Sequence, residues 1–283
     1  GTILSGVPGT AVAFSNGVTR AAEASHLPDF AAFTLDSPVP AVVSRSTDEE
    51  WVWYATELNG HPVDGCVAYS GPSVAYSILG PPVAPWTDAA LTNQNAWTSA
   101  LDFAITNACE GATSATNALA ELTQFLFSGH GLVYDTNSGM SAYSDKNGTL
   151  VDITRYMAKS GSRKPWVKRA GNIVNCYDQA ASLTVLSRQV GVVANYALME
   201  PFGYLHPIGL VGIGICNNPF FGDDPSRKLL GVDAPRSLFG NHAFAIYDDA
   251  LYDACGGPSA GLDANTYISA VVDSSTPWEA ALA

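Results

Sequence analysis

Charged residues are scarce in this sequence, and basic residues are the scarcest. Among 283 residues, 13 are Lys or Arg and 26 are Asp or Glu, so the formal net charge is −13. A nucleic-acid partner would require a basic face that neutralises its phosphates, and this balance argues against one. Hydrophobic residues make up 47% of the chain and charged residues only 14%. This composition excludes a disordered chain and predicts a globular protein with a neutral, polar surface.

Long hydrophobic runs are absent as well. The longest apolar stretch, IGLVGIGIC at 208–216, is much shorter than the ~20 residues that span a bilayer. We therefore expect no membrane-spanning helix and no membrane partner. The acidic composition is typical of a secreted, extracellular protein, and we expect a monomer. The chain begins GTILSG, which we interpret as a mature or trimmed form that has lost its targeting segment.

The distribution of turn residues predicts an α+β protein with two regions. Residues 1–86 contain short aromatic and β-branched runs between turn signals such as Gly71-Pro72, which predicts a β-rich N-terminal region. In the second region, 87–283, apolar residues first recur every three or four positions, which predicts two helices separated near Glu110-Gly111. The Gly-, Ser- and Asn-rich stretch 130–150 then predicts an exposed loop, and later apolar runs predict antiparallel strands.

Six of the thirteen basic residues lie together in RYMAKSGSRKPWVKR, 155–169. The simplest interpretation is a solvated basic loop. Alternatively, the cluster forms a positive rim beside the next segment, where its field would attract acidic substrates and favour a thiolate.

One cysteine occupies the start of a predicted helix. In NIVNCYDQAASLTVLSRQVG, 172–191, Cys176 follows a polar turn, apolar positions such as Ala180 and Leu186 face a core, and Gly191 ends the helix. A helix N-terminus presents unpaired N–H groups and a partial positive charge, which favour a thiolate and bind an oxyanion. Cys176 is therefore a candidate nucleophile, although most cysteines in such a place are inert buried thiols.

A hairpin farther along supplies an imidazole and a carboxylate. HAFAIYDDALYDAC predicts a strand from His242 to Ile246, a turn at Asp248-Asp249 and a return strand to Asp253. Side chains alternate along a strand and opposed residues share a face. His242 and Asp253 therefore face the same way if the numbers of opposed residues have an odd total, and opposite ways if the total is even.

Together these residues resemble the transglutaminase-like branch of the papain-type thiol enzymes. The shared pattern is a cysteine that opens a helix, C-x-x-x-A-x-x-x-x-x-L-x-R-x-x-G-V, then H-A-F and an aspartate on the next strand. Its residues in this sequence are Cys176, Ala180, Leu186, Arg188, Gly191, Val192, His242, Ala243, Phe244 and Asp253. The stretch ALAELTQFLFSGHGLVYD also resembles the family's helix that leads to a Tyr-Asp loop.

The resemblance covers about 115–258 and does not include the first 85 residues. The chain departs from the family pattern at Phe244, where Trp is frequent, and in the short interval between His242 and Asp253. The resemblance implies a papain-like α+β core, in which the nucleophile helix packs on an antiparallel β-sheet. We also expect the N-terminal β-rich region to pack on this core.

The resemblance also implies a Cys-His-Asp triad. Cys176 would be the nucleophile, His242 the general base and then acid, and Asp253 the group that holds the imidazole. The protein would be a cysteine peptidase or amidase, or a transglutaminase-like acyltransferase, acting without a cofactor on peptide or protein substrates. We favour hydrolysis of the acyl-enzyme because no acceptor-binding feature is evident. The alternatives are protein crosslinking and a non-catalytic secreted binding or structural module on the same fold.

Other residues are candidates for substrate contact. Gln179, Asn241 and Trp166 are candidate substrate-binding residues, whereas Asp178 suits a helix cap or a turn. The expected oxyanion donors are the Cys176 N–H and one side chain that the sequence does not identify. The candidates for that side chain are the upstream aromatics Tyr134, Tyr143 and Trp166.

The cysteines, Cys66, Cys109, Cys176, Cys216 and Cys255, are odd in number. If Cys176 is the free nucleophile, the other four pair in one of three ways, and we favour Cys66–Cys109 and Cys216–Cys255. In a reducing compartment all five would remain thiols. A metal site of Cys216, His242 and Cys255 lacks C-x-x-C or H-x-x-x-H spacing, so we predict no metal. The one N-glycosylation sequon, at Asn147, predicts a glycoprotein.

Overall fold

The computed structural model describes residues 9–15, 18–24, 41–54, 57–58, 61–62, 66–86, 96–161 and 171–273. The fold is mixed α+β with antiparallel sheets, as the sequence predicts. The chain divides into two compact units, 1–77 and 78–283, so the boundary precedes the predicted one between 86 and 87. None of the helices in these ranges is long and apolar enough to cross a membrane.

The residues that the structure describes in the first unit lie mainly in β-strands, as the sequence predicts. Its strands are β1 (Gly9–Ser15), β2 (Val18–Ala24), β3 (Ser44–Tyr54), β4 (Glu57–Leu58), β5 (His61–Pro62) and β6 (Cys66–Ser77). Four of them form an antiparallel sheet in the order β2-β1-β3-β6, and β4 pairs with β5. The expected break at Gly71-Pro72 is a register shift against β3 within one continuous strand. Proline donates no ladder hydrogen bond, so it is tolerated where pairing is irregular.

The helices of the second unit are α1 (Ala96–Ala104), α2 (Ala115–Gln124), α3 (Ile153–Ala158), α4 (Cys176–Gln189) and α5 (Ala264–Val271). A π-helical turn extends α1 (Ile105–Cys109), and another extends α2 (Phe125–Gly129). The chain separates the two helices at Gly111, whose φ of 85° a non-glycine residue rarely adopts. The predicted pair of helices and their separation are thus confirmed.

The strands of the second unit are β7 (Val133–Tyr134), β8 (Ile173–Val174), β9 (Asn195–Met199), β10 (Ile208–Leu210), β11 (Gly214–Cys216), β12 (His242–Tyr247), β13 (Ala250–Asp253) and β14 (Ser259–Leu262). An antiparallel sheet in the order β14-β13-β12-β9 confirms the strands predicted for this region. A short parallel pair, β7 with β8, immediately precedes α4.

Helix α4 packs on β12 and is buried on almost every side. Leu183, Leu186 and Val190 have no exposed surface, and each such side chain stabilises the fold by about 2 kcal/mol relative to an exposed one. Residues 78–86 cover the C-terminal end of α4, where the Leu79 N–H donates to the Val190 carbonyl (3.2 Å). These contacts explain why 78–86 belong to the second unit.

Candidate active site

The β12–β13 hairpin brings His242 and Asp253 to one face of the sheet. The connecting residues 248–249 both have positive φ, 52° and 59°, as in the two-residue turns that suit tightly twisted hairpins. Ala245 lies opposite Tyr252, so opposed residue numbers have the odd total of 497. The predicted parity is confirmed, and the two side chains point the same way.

Four donors surround the buried Asp253 carboxylate. His242 Nε2 lies 2.8 Å from Oδ2, which also accepts the Tyr267 hydroxyl (2.6 Å). Oδ1 accepts the backbone N–H groups of Cys255 (2.7 Å) and Gly256 (3.0 Å). Burial alone would raise the pKa of Asp253, but the charge of His242 and these hydrogen bonds lower it. The carboxylate is therefore ionised at neutral pH.

The imidazole of His242 is enclosed between aromatic rings. Phe239 stacks on it at 5.2 Å between centroids, and Phe202 lies at 4.8 Å. Burial lowers the pKa of His242, whereas Asp253 and then Cys176 raise it, with a net result of about 10. Nδ1 has no hydrogen-bond partner among the described residues. Because Asp253 occupies Nε2, this nitrogen is the one left to interact with the Cys176 thiol.

Cys176 is the first residue of α4, as predicted, and its thiol is free and 4% exposed. A capping box fixes the start of the helix. Asn175 Oδ1 accepts the Asp178 N–H (3.1 Å), and Asp178 Oδ2 accepts the Asn175 N–H (3.2 Å). This geometry confirms the capping role of Asp178. The Cys176 N–H donates to none of the described residues, so an oxyanion could occupy that position.

The loop predicted to be exposed at 130–150 is partly buried, and that prediction was wrong for 130, 132, 134–135 and 141–144. The carboxylate of Asp178 accepts the backbone N–H groups of Ala142 (2.7 Å), Tyr143 (2.8 Å) and Ser144 (2.8 Å). A buried carboxylate needs donors, and this one holds the loop against α4. Composition predicts turns but does not decide whether they are exposed.

Gln179 has a structural role in place of the predicted contact with substrate. Its side chain is fully buried. Nε2 donates to the carbonyls of Leu126 (3.0 Å) and Ala254 (2.7 Å), and Oε1 accepts the Tyr156 hydroxyl. Because both N–H groups of the Gln179 amide are used, no donor remains for a substrate. The side chain instead links α4 to Leu126, Tyr156 and Ala254.

Of the other predicted site residues, the structure describes Asn241 and Asn147 but not Trp166. Asn241 is half-buried beside His242, and its Oδ1 accepts the Tyr177 hydroxyl. Its amide also hydrogen-bonds the Glu200 carboxylate and helps to lower the pKa of that group, and its substrate role stays a prediction. Trp166 and most of the basic cluster lie outside the described residues. Asn147, the predicted glycosylation site, is exposed in a turn.

The structure does not contain the expected disulfides. Cys109, Cys216 and Cys255 are free, buried thiols, so neither Cys66–Cys109 nor Cys216–Cys255 is formed. The Cys216 thiol instead donates to the Asn218 carbonyl (3.3 Å). Burial raises the pKa of Cys109 to about 12 and raises those of Cys216 and Cys255. The pairing was chosen from counts and order along the chain, which do not determine where thiols point.

Sequence reasoning missed Tyr267, which donates to Asp253 from α5. A signal for the helix exists, because Asp263 caps it by accepting the N–H groups of Asn265 (3.0 Å) and Thr266 (3.0 Å). Nothing local indicates that the hydroxyl of Tyr267 reaches the site, since that contact depends on how α5 packs against the sheet.

The sequence matches no protein-family profile, and no curated protein is significantly similar to it. The interpretation of the site therefore depends on its geometry. The imidazole of His242 pairs with the Asp253 carboxylate, and Cys176 at the start of α4 is near enough to raise its pKa. This arrangement suits nucleophilic acyl transfer.

Proposed function

We propose that the protein is a thiol hydrolase that cleaves peptide or side-chain amide bonds through an acyl-enzyme, on a transglutaminase-like core. The observation that carries this proposal is the buried His242–Asp253 pair, with Nδ1 left for the Cys176 thiol. Acyl transfer requires a nucleophile, a base and a group that orients the base. The order of the three residues and the packing of α4 on an antiparallel sheet also support the core.

In the proposed reaction, the thiol proton of Cys176 already resides on His242 at neutral pH, because the pKa of this imidazole is about 10, and the thiolate attacks the amide carbonyl carbon. The C–S bond forms as the carbonyl π electrons move to oxygen. When the intermediate collapses, the C–N bond breaks and the imidazolium gives its proton to the leaving amine. His242 then deprotonates a water, which attacks the thioester and releases the acid and the thiol. Asp253 holds the imidazole throughout.

Water rather than an amine is the proposed acceptor, because no residue of the site is evidently suited to bind an amine. The proposed substrates are peptides or proteins. The proposed location is extracellular, supported by the acidic composition and the exposed sequon at Asn147. Disulfide bonds do not support this location, because the structure contains four free thiols, Cys109, Cys176, Cys216 and Cys255.

Alkylation by iodoacetamide at pH 7 tests the thiol–imidazole pair. We expect Cys176 to react on the order of 100-fold faster than Cys109, Cys216 and Cys255, whose burial disfavours their thiolates. His242→Ala should slow this reaction by about 100-fold or more because the base is lost. Peptide mass mapping of the labelled protein gives each rate.

His206→Ala is the control, because His206 is a half-buried imidazole of the second unit whose side chain makes no hydrogen bond, ion pair or ring contact with the triad. It should keep the wild-type rate. Equal, slow labelling of Cys176 in wild type and His242→Ala would contradict the enzyme and favour a binding module.

A further inference from the structure

Tyr134 is a buried tyrosine near Cys176 whose hydroxyl has no partner among the residues that the structure describes. The residue is 2% exposed. Its backbone N–H donates to the Val211 carbonyl, but its hydroxyl makes no hydrogen bond with a described residue. Although the ring is buried, the oxygen is not one of the fully enclosed side-chain atoms without a partner, so it is accessible to a ligand.

The backbone places this hydroxyl next to the start of α4. In the parallel pair β7–β8, Tyr134 lies beside Val174, two residues before Cys176. A Cβ added at Gly139 would lie 3.3 Å from the Tyr134 hydroxyl. The Gly139 carbonyl in turn accepts Asn175 Nδ2 (2.8 Å). Gly139 therefore lies between the Tyr134 hydroxyl and Asn175, the N-cap residue of α4.

The ring of Tyr134 packs against Phe239, which is one of the rings that enclose the imidazole. It packs edge-on against Phe239 at 5.7 Å, and Phe239 stacks on His242. The Phe220 ring is tilted against the Tyr134 ring, with 6.2 Å between the centroids. A donor held in this way needs little reorganisation when charge develops near it, which is the property that an oxyanion site requires.

Burial raises the pKa of Tyr134 well above its ordinary value, and the charge of Cys176 is the next cause. The hydroxyl therefore stays protonated at neutral pH and can donate. The rival Tyr143 is already engaged, because its hydroxyl donates to the Gly171 carbonyl.

We propose that the Tyr134 hydroxyl and the Cys176 N–H together form the oxyanion hole of the site, an inference that rests on the proposed function. When the C–S bond forms, the carbonyl oxygen receives the π electron pair, and Tyr134 donates a hydrogen bond to it without transferring its proton. This contact exists only while the oxygen carries the charge, so it lowers the barrier to acyl transfer.

Two reactions of Cys176 separate this role from a structural one. Acylation by p-nitrophenyl acetate passes through an oxyanion, whereas alkylation by iodoacetamide displaces iodide and forms none. We expect Tyr134→Phe to slow acylation by roughly 100-fold and to leave alkylation within about twofold of wild type. The pH profile of alkylation should not move, because the His242–Asp253 pair is unchanged.

Tyr252→Phe is the matched control. It removes the same hydroxyl from a buried ring in β13, but that hydroxyl lies near Gly261 and outside the triad. Both rates should stay at the wild-type value. Thermal unfolding of each variant checks that it is folded.

An unchanged acylation rate in Tyr134→Phe would overturn the oxyanion assignment and leave the proposed function standing. Equal losses of acylation and alkylation would also overturn it, because the residue would then support the thiol–imidazole pair. If wild type itself reacts with neither reagent at Cys176, the proposed function fails and the assignment fails with it.

Discussion

Asp253 and Asp178 are both fully buried carboxylates with several hydrogen-bond donors, yet their pKa values move in opposite directions. Asp178 faces only neutral donors, and burial raises its pKa. Asp253 faces the imidazolium of His242, and its pKa is lowered despite the same burial. A single cation decides the outcome, which is why the site can hold a charged carboxylate away from water.

This pair makes stability depend on pH. The folded-state pKa of His242 is about 10 against an ordinary 6.5, so its contribution is complete below pH 6.5 and is lost as the pH rises through 10. The lowered pKa of Asp253 gives a contribution present above pH 3.8 and lost as the pH falls through the folded value.

We expect the free energy of unfolding of wild type to fall between pH 7 and pH 10, as measured by urea unfolding. The fall should be smaller in Asp253→Asn, because the imidazole then has no charged partner that keeps it protonated. Asp224→Asn removes an exposed carboxylate and should behave as wild type. A fall of equal size in wild type and Asp253→Asn would show that the buried pair does not set the pH dependence.

At the scale of elements, the site residues recognised from the sequence lie on a helix and a hairpin that local sequence signals define. Helix α4 has a cap at Asn175 and an end at Gly191, and the hairpin has strands of alternating pattern around two aspartates. Each signal lies within a few residues of the helix end or turn that it marks, so the positions of Cys176 and His242 could be predicted.

The parts that could not be predicted depend on contacts between distant segments. The burial of 141–144 follows from donors that Asp178 needs, and Tyr267 reaches Asp253 only because α5 packs against the sheet. The missing disulfides have the same origin, since the direction of each thiol is set by tertiary packing.

Gly191 offers a test of how the end of α4 is packed. Its φ is 85°, and a Cβ there would overlap the Gly80 carbonyl. Gly111 has the same φ of 85° with open space around it. We expect Gly111→Ala to cost about 1 kcal/mol of unfolding free energy, from backbone strain alone. Gly191→Ala should cost more, because the overlap also pushes 78–86 off the helix.

Urea unfolding of the two variants measures the difference. Equal losses in Gly191→Ala and Gly111→Ala would mean that the segment around Gly80 is not held against α4, and the boundary of the second unit would then return toward 86.

At the scale of the molecule, the net charge of −13 and the composition predict a globular protein and argue against a nucleic-acid partner, but they carry no information about the reaction. The proposed reaction follows from three residues separated by 66 and 11 positions, which α4 and one hairpin bring together. The sequence order identified these residues, the geometry adds Tyr267 to them, and it favours Tyr134 over Tyr143 as the proposed oxyanion donor.

Capture of the acyl-enzyme is the most direct measurement of the central claim. Wild type and Cys176→Ser are incubated with a peptide library at pH 7, quenched in acid and mapped by mass spectrometry. We expect wild type to carry a peptide acyl group on Cys176 that disappears with time as the free acid is released, and Cys176→Ser to carry none. A wild-type protein whose Cys176 is rapidly alkylated yet never acylated, or acyl adducts of equal yield in Cys176→Ser, would contradict the account.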